Sequence, residues 1–222
     1  MTVQINGSGS ISGINVGGLP DGIVDSDMIA NATIATADLA DGAVTAVKSS
    51  GIGKVKDQFF SPCDGSVIAL SDGNHTLDNV TGVQTDTYSY VDVNGSHFTY
   101  TPPAGTTQVI YEYTFCWATV DAMPIAHFRL YLDGTEVTYS RFTLSTQSYP
   151  DDLVTFKWGF NIGGTANADT GRLASWTSAK EIKLQWREYG SGDEAKLNQT
   201  YYFDGTTDYH FHCPRIGITA IG

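Results

Sequence analysis

The segment His210–Cys213 holds the residue types best suited to binding a metal ion in this sequence. Side chains alternate between the two faces of a strand, so His210 and His212 would share a face, and two imidazoles at that spacing can hold one cation. The alternative is an ordinary alternating strand with Phe211 directed inward and the histidines on the other face. We favour this alternative, and the sequence therefore predicts no metal site and no cofactor.

Two pairs of neighbouring acids could carry glycoside hydrolysis: Asp151 with Asp152, and Asp193 with Glu194. That reaction needs two carboxylates held about 5–10 Å apart across a sugar cleft. Adjacent acids in turn-like stretches are more typical of solvated loops. The common nucleophile, zinc and phosphate-binding motifs are also absent from the sequence. We expect no catalytic residues, and we expect that the protein is not an enzyme.

Three Asp- and Gly-containing segments, 64–66, 72–74 and 92–95, weakly resemble calcium-binding loops. Such loops end in a distal glutamate, which none of the three has. The segments are predicted to be turns.

Several aromatic residues could offer a ring face to a sugar, namely Tyr149, Trp158, Trp176, Tyr201 and Tyr202. Aromatic residues at alternate strand positions, such as Phe156, Trp158 and Phe160, more often belong to a core. Trp176 lies in the loop-like stretch TGRLASWTSAK, so we expect it to be exposed as a possible glycan contact.

The charge balance narrows the range of partners. The sequence has 24 acidic and 12 basic residues, a net charge of −12. Nucleic acid requires a basic surface and is disfavoured as a partner. The N-terminus lacks the features of a signal peptide, and no apolar run is long enough for membrane insertion.

The cysteines Cys63, Cys116 and Cys213 form an odd set without CxxC spacing. Buried free thiols are expected, although a bridge between Cys63 and Cys213 is possible.

The sequence from Phe59 onward has the pattern of an all-β fold. It contains every one of the 26 aromatic residues. Strand-like runs occupy 67–70, 87–93, 97–101, 108–120, 126–132, 135–144, 153–162, 181–189, 196–203 and 214–222. Asn94-Gly95 and Asp133-Gly134 are strong hairpin signals. Short strands at this spacing predict an antiparallel sandwich, most simply a jelly roll, over residues 59–222.

The segment 21–50 is a ten-residue repeat that weakens in its third copy. Its apolar positions recur every five residues, which fits neither a helix nor a strand. Those positions are Val24, Ile29, Ile34, Leu39 and Val44. A unit this thin cannot cover its own apolar side chains. We therefore predict an extended stalk in which three identical chains wrap about one axis; the alternative is a disordered linker.

Residues 1–20 alternate apolar residues with glycine and serine, and glycine is costly to order. We interpret them as an N-terminal anchor gripped by another structure. The anchoring side chains would be Val3, Ile5, Ile11, Ile14, Val16 and Leu19. The predicted organisation is thus anchor 1–20, stalk and linker 21–58, and head 59–222.

Two features together resemble fibre and capsid-decoration proteins of tailed bacteriophages. The stretch IVDSDMIANATIATADLADGAVTAVK is similar to tail-fibre stalks. The phrases YTPPAGTTQVIYEYTFCW and FRLYLDGTEV resemble trimeric jelly-roll heads of the C1q and tumour-necrosis-factor type. The resemblance implies a homotrimer on the virion surface, joined to capsid or tail proteins by its N-terminus, with the head outward. It transfers no site residues.

The sequence thus predicts a structural virion protein, either a fibre or a capsid-decorating protein, whose head could bind a host-surface glycan. A free carbohydrate-binding module and a glycan-degrading spike are the alternatives.

Overall fold

The structure is a computed structural model that describes residues 54–85, 88–119, 125–145, 151–190, 195–202, 205 and 209–222. The chain divides into two units, residues 1–50 and 51–222, and the described residues all belong to the second. The predicted anchor and stalk contacts therefore lie outside the described residues. Within the described ranges, no helix has the length and apolar character needed to cross a membrane.

The described residues form fifteen strands and one 3₁₀ turn. The first seven strands are β1 (Val55–Pro62), β2 (Val67–Leu70), β3 (Gly73–Thr76), β4 (Gln84–Thr85), β5 (Val91–Asp92), β6 (Phe98–Tyr100) and β7 (Gln108–Thr119). They are followed by β8 (Ile125–Leu132), β9 (Thr135–Ser145), β10 (Asp151–Asn161), the 3₁₀ turn Ala168–Thr170 and β11 (Lys180–Glu188). The last are β12 (Ala195–Leu197), β13 (Gln199–Tyr201), β14 (Tyr209–Phe211) and β15 (Arg215–Ile221).

The long strands pair as a nested series. β1 pairs with β15, β5 and β6 pair with β11, β7 pairs with β10, and β8 pairs with β9, all antiparallel. The first sheet runs β1-β15-β7-β10, and the second runs from β5 and β6 through β11 and β8 to β9. This is the strand order of a jelly roll, so the predicted antiparallel jelly-roll sandwich is confirmed for the head.

The space between the two sheets is filled by side chains. Alternate residues of β7 face inward and are fully buried, as are alternate residues of β8 and β11. Aromatic rings meet across the interior: Phe115 lies 5.5 Å from Phe128, and Phe128 stacks with Trp186 at 6.2 Å. This aromatic packing stabilises the head, since large rings bury much apolar area.

The turn at Asn94-Gly95 is not the hairpin predicted from the sequence. β5 and β6 follow one another along the same strand, β11, opposite Gln185 and Ile182 respectively. The chain therefore keeps its direction through the turn and does not reverse as it would in a hairpin. Ser96 explains why: its hydroxyl accepts from the Leu184 N–H and replaces a ladder contact. The Asp133-Gly134 hairpin is confirmed between β8 and β9.

Candidate functional site

A basic groove lies on the outer face of the second sheet. Side chains that point outward from β8 alternate with the buried ones, which places His127 and Arg129 on the surface. Strand pairing sets Arg187 of β11 and Thr143 of β9 on either side of His127. Tyr90 immediately precedes β5, which is the next strand beyond β11.

A bulge in β9 brings a third arginine to this face. The register between β8 and β9 shifts between Phe128 and Leu130, so several residues of β9 lie opposite Arg129. Ser140 stabilises the bulge because its buried hydroxyl donates to the Val137 carbonyl, 2.7 Å away, and accepts from the Leu130 N–H. Arg141 is the next residue after Ser140, and its side chain lines the groove. Bulges of this kind re-aim a side chain locally.

The groove has an excess of positive charge. Its cavity measures about 290 Å³ and is lined by Tyr90, His127, Phe128, Arg129, Arg141, Phe142, Thr143 and Arg187. The Arg129 guanidinium lies 3.7 Å from the centre of the Tyr90 ring, and that of Arg187 lies 5.4 Å from it. Such stacking holds a guanidinium in place through cation–π attraction.

Glu136 offsets part of this charge. Its carboxylate accepts from Arg141 Nε at 2.5 Å and lies 3.6 Å from Arg129 Nε. The hydrogen bond from Arg141 holds the pKa of Glu136 below its ordinary value, against the effect of burial. Among the described residues, Arg187 has no carboxylate partner and donates to the Glu188 carbonyl at 2.9 Å.

Among the described residues that line the groove, His127 has the only imidazole. Burial lowers its pKa, and the positive charges of Arg187 and Arg129 lower it further. The ring is therefore neutral near pH 7. Its Nδ1 lies 2.9 Å from the Thr143 hydroxyl, so the ring orientation is fixed by a hydrogen bond.

This arrangement is suited to holding an anion. Each guanidinium presents a planar fork of N–H donors that matches a carboxylate or a similar oxyanion. The positive charge of the groove disfavours a metal cation. Within the described ranges, no group of three or more His, Cys, Asp or Glu side chains could hold a metal ion.

The predicted histidine segment lies on and beside β14. β14 pairs with β13 in a small two-stranded sheet, with His210 opposite Thr200. Phe211 is 40% exposed, so the expectation that its ring faces inward is wrong. The reason is that this small sheet does not place Phe211 against the core.

Of the two predicted acid pairs, the first lies among the described residues. Asp151 and Asp152 begin β10 opposite Ala118 and Trp117, so the prediction that they lie in a solvated loop is wrong. Pairing with the long strand β7 extends β10 back to Asp151. The second pair, residues 193 and 194, lies outside the described residues.

The expectation that Trp176 is exposed is also wrong. The indole is 4% exposed, packs at 6.4 Å against Tyr100 and at 5.9 Å against Phe160, and donates to the Tyr100 carbonyl. It fills the sandwich interior and offers no face to a glycan. Tyr201 and Tyr202 are exposed, at 46% and 66%.

The remaining aromatic candidates are Trp158 and Tyr149. Trp158 is partly buried and donates to the Thr170 carbonyl at 3.1 Å. Residue 149 lies outside the described residues.

Cys63 and Cys213 are free thiols, so the possible bridge between them is not formed. Cys63 is buried, as expected, and its thiol contacts the Gly95 carbonyl at 3.3 Å. Burial raises the pKa of Cys63 to about 12, which makes the thiol unreactive. Cys116 is buried on β7.

Sequence reasoning missed the basic groove. Its three arginines belong to three strands, and Arg187 is far in the sequence from Arg129 and Arg141. One signal was available: Arg129 and Arg187 each alternate with apolar residues in their predicted strands, which places them on the outer face. That these outer faces adjoin follows only from the pairing of β8 with β11.

Comparison with known proteins adds little to the geometry. No protein-family model and no curated protein sequence matches this chain. Among solved structures, it is similar to that of the Gt strain of infectious bursal disease virus, with 14% identity, a TM-score of 0.23 and coverage of 71% of this chain and 47% of that one. The VP2 subviral particle of the same virus gives 13% identity, a TM-score of 0.23 and coverage of 71% and 46%.

The chain spans less than half the length of these two virus proteins. At such TM-scores the likeness carries no argument about function. The jelly-roll assignment depends on the strand order alone.

Proposed function

We propose that this protein is a structural component of a virion surface, a homotrimeric fibre or capsid-decorating protein of a tailed bacteriophage. Its N-terminal residues would join it to capsid or tail proteins, and its head would face outward. In this proposal the protein has no catalytic activity.

The observation that carries the proposal is the joining of a jelly-roll head to the repeat at 21–50. Jelly rolls are recurrent viral capsid and lectin domains. The packed interior places any binding function on the outer surface of the head.

Carbohydrate binding is a second candidate function, favoured by exposed aromatic side chains on one hairpin. Tyr201, Tyr202 and Phe211 are each at least 40% exposed on or beside β13 and β14. Aromatic faces of this kind can stack on sugars. The function is compatible with a virion head that attaches to a host surface, and with a free binding module.

The proposal is tested by the location and mass of the protein. An antibody against the head should label tailed particles released from cells that make the protein, as seen by immunogold electron microscopy. Light scattering of the purified full chain should give three times the 23.9-kDa chain mass.

The number of gold particles per virion then separates the two roles, since a decorating protein occupies many capsid sites and a fibre labels the tail. Unlabelled particles together with a monomeric chain would overturn the proposal.

A further inference from the structure

We propose that the basic groove binds the carboxylate group of an acidic saccharide. The inference depends on the proposed function, because it supplies a ligand for a head exposed on a virion. It assigns this ligand to the groove formed by β8, β9, β11 and Tyr90, and not to the aromatic hairpin.

The charge of the site favours an anion. The protein has twice as many acidic as basic residues, yet three guanidiniums line this cavity. Among the described residues, Glu136 is the only carboxylate within 4 Å of any of the three. Arg129 and Arg187 are diagonal neighbours on β8 and β11, and their like charges repel each other. A bound anion would remove that repulsion, whereas a purely structural ion network would be balanced.

Two of the guanidiniums are held in fixed positions. Arg129 is stacked on Tyr90, and its buried Nε has no hydrogen-bond partner within the described ranges. Arg187 lies over the same ring at 5.4 Å and is held by a bond to the Glu188 carbonyl. Because little side-chain freedom remains to be lost, an anion would bind to a preorganised site.

Neutral polar groups beside the arginines indicate the type of anion. The groove presents the Thr143 hydroxyl and the His127 imidazole, which lie 2.9 Å apart. Hydroxyl-rich ligands use such neutral hydrogen-bonding groups. The volume of about 290 Å³ lies at the lower end of small-molecule pockets, which fits a single saccharide unit with one carboxylate.

Isothermal titration of the full chain tests the inference. The probes are short oligomers of galacturonate, glucuronate and sialic acid, each compared with its uncharged methyl ester and with inorganic tripolyphosphate. We expect at least one acidic oligomer to bind, its ester to bind at least about tenfold more weakly, and tripolyphosphate to be no better than the ester.

Two variants locate the binding site. Arg187→Gln should weaken binding at least about tenfold, and Arg187→Lys should recover part of the loss, since a lysine keeps the charge but not the planar fork. Lys157→Gln is the matched control. It removes one positive charge from the first sheet, where Lys157 is 59% exposed and pairs with Glu112. It should leave the affinity unchanged, and melting curves verify that each variant is folded.

The inference is overturned if no acidic oligomer binds, if esters or tripolyphosphate bind as well as the acids, or if Lys157→Gln weakens binding as much as Arg187→Gln. These results are distinct from a failure of the proposed function. A trimeric virion protein without saccharide binding overturns only the inference, and a monomeric protein absent from virions that still binds overturns only the proposed function.

Discussion

Glu136 determines how much positive charge the groove presents. It contacts Arg141 directly and Arg129 at longer range, and it is mostly shielded from solvent, with a side-chain exposure of 17%. Arg141 is 54% exposed, so solvent screening reduces the strength of this ion pair. The carboxylate therefore stabilises the bulge in β9 while leaving a net positive site.

The lowered pKa of Glu136 predicts a pH-dependent contribution to stability. The folded-state pKa lies below the ordinary value of 4.5, so the contribution is complete above pH 4.5 and is lost as the pH falls through the folded-state pKa. We expect Glu136→Gln to lower the free energy of unfolding by about 0.5–1 kcal/mol at pH 7 and to have little effect at pH 2.5. Urea unfolding at both pH values measures this difference.

A double-mutant cycle with Arg141→Gln isolates the pair. The coupling energy should be smaller at pH 2.5 than at pH 7. A coupling energy that is the same at both pH values would contradict the assignment.

Single residues were the least predictable level of this molecule. Trp176 lies in a loop-like stretch of the sequence. It is buried because Tyr100 and Phe160, which belong to other parts of the chain, pack against it. The basic groove depends in the same way on cross-strand neighbours. The burial of alternate residues on β8 and β11 was predictable, because a strand with one apolar face turns that face inward.

Among the elements, the turn between β5 and β6 shows how the core positions a loop. Two buried tyrosines of β7 cross the sandwich: Tyr111 donates to the Ser96 carbonyl and Tyr113 to the Asn94 carbonyl, each at 2.6 Å. Gly95 has φ of +84°, a conformation that favours glycine. The sandwich interior thus holds a surface turn through its carbonyl groups.

Gly95→Ala should destabilise the head by about 2–4 kcal/mol. An added Cβ would lie 2.8 Å from Val80 Cγ2 and 3.0 Å from Cys63 Sγ, and overpacking adds to the strain of positive φ. Thermal or urea unfolding measures the loss.

Two further glycines separate these causes. Gly134→Ala places a Cβ in open space at φ of +76°, so it should cost about 1–2 kcal/mol from strain alone. Gly82→Ala has neither constraint and should change stability by less than about 0.5 kcal/mol. Equal effects at Gly95 and Gly134 would mean that the tight packing at Gly95 adds nothing.

Most long strands could be predicted from the sequence, as could the short strands β2 and β6, whereas β3, β4 and β14 could not. β7, β8, β9 and β11 agree with the predicted ranges to within about two residues, because each has enough alternating apolar positions to form a recognisable pattern. β3 contains glycine and asparagine and exists only through its pairing with β2. β1 begins at Val55, within the range interpreted as linker, because β15 supplies its partner.

For the whole molecule, the nested pairing explains why the fold class was predictable from the sequence but the pairing of the first strand with the last was not. The number and spacing of strands indicate a sandwich. The pairing of β1 with β15, however, joins residues more than 150 positions apart, as between Phe59 and Ile218. Contacts of that length leave no local signal in the sequence.

The proposed trimer can be tested at the repeat 21–50. In the proposal, the contact between three chains is formed by the apolar positions Val24, Ile29, Ile34, Leu39 and Val44. Charged side chains at these positions should therefore separate the chains. In the full-length protein, the double substitution Ile29→Asp and Ile34→Asp should reduce the mass seen by light scattering from three chains to one. The head should keep its cooperative unfolding, because the core residues described for it all lie from Phe59 onward.

Ala30→Asp with Ala35→Asp is the matched control, since it adds the same two charges one position off the apolar line. This control should remain trimeric, and its melting temperature should rise with protein concentration as mass action requires for an oligomer. Equal masses for the two double variants, whether both trimeric or both monomeric, would show that the five apolar positions do not hold the chains together.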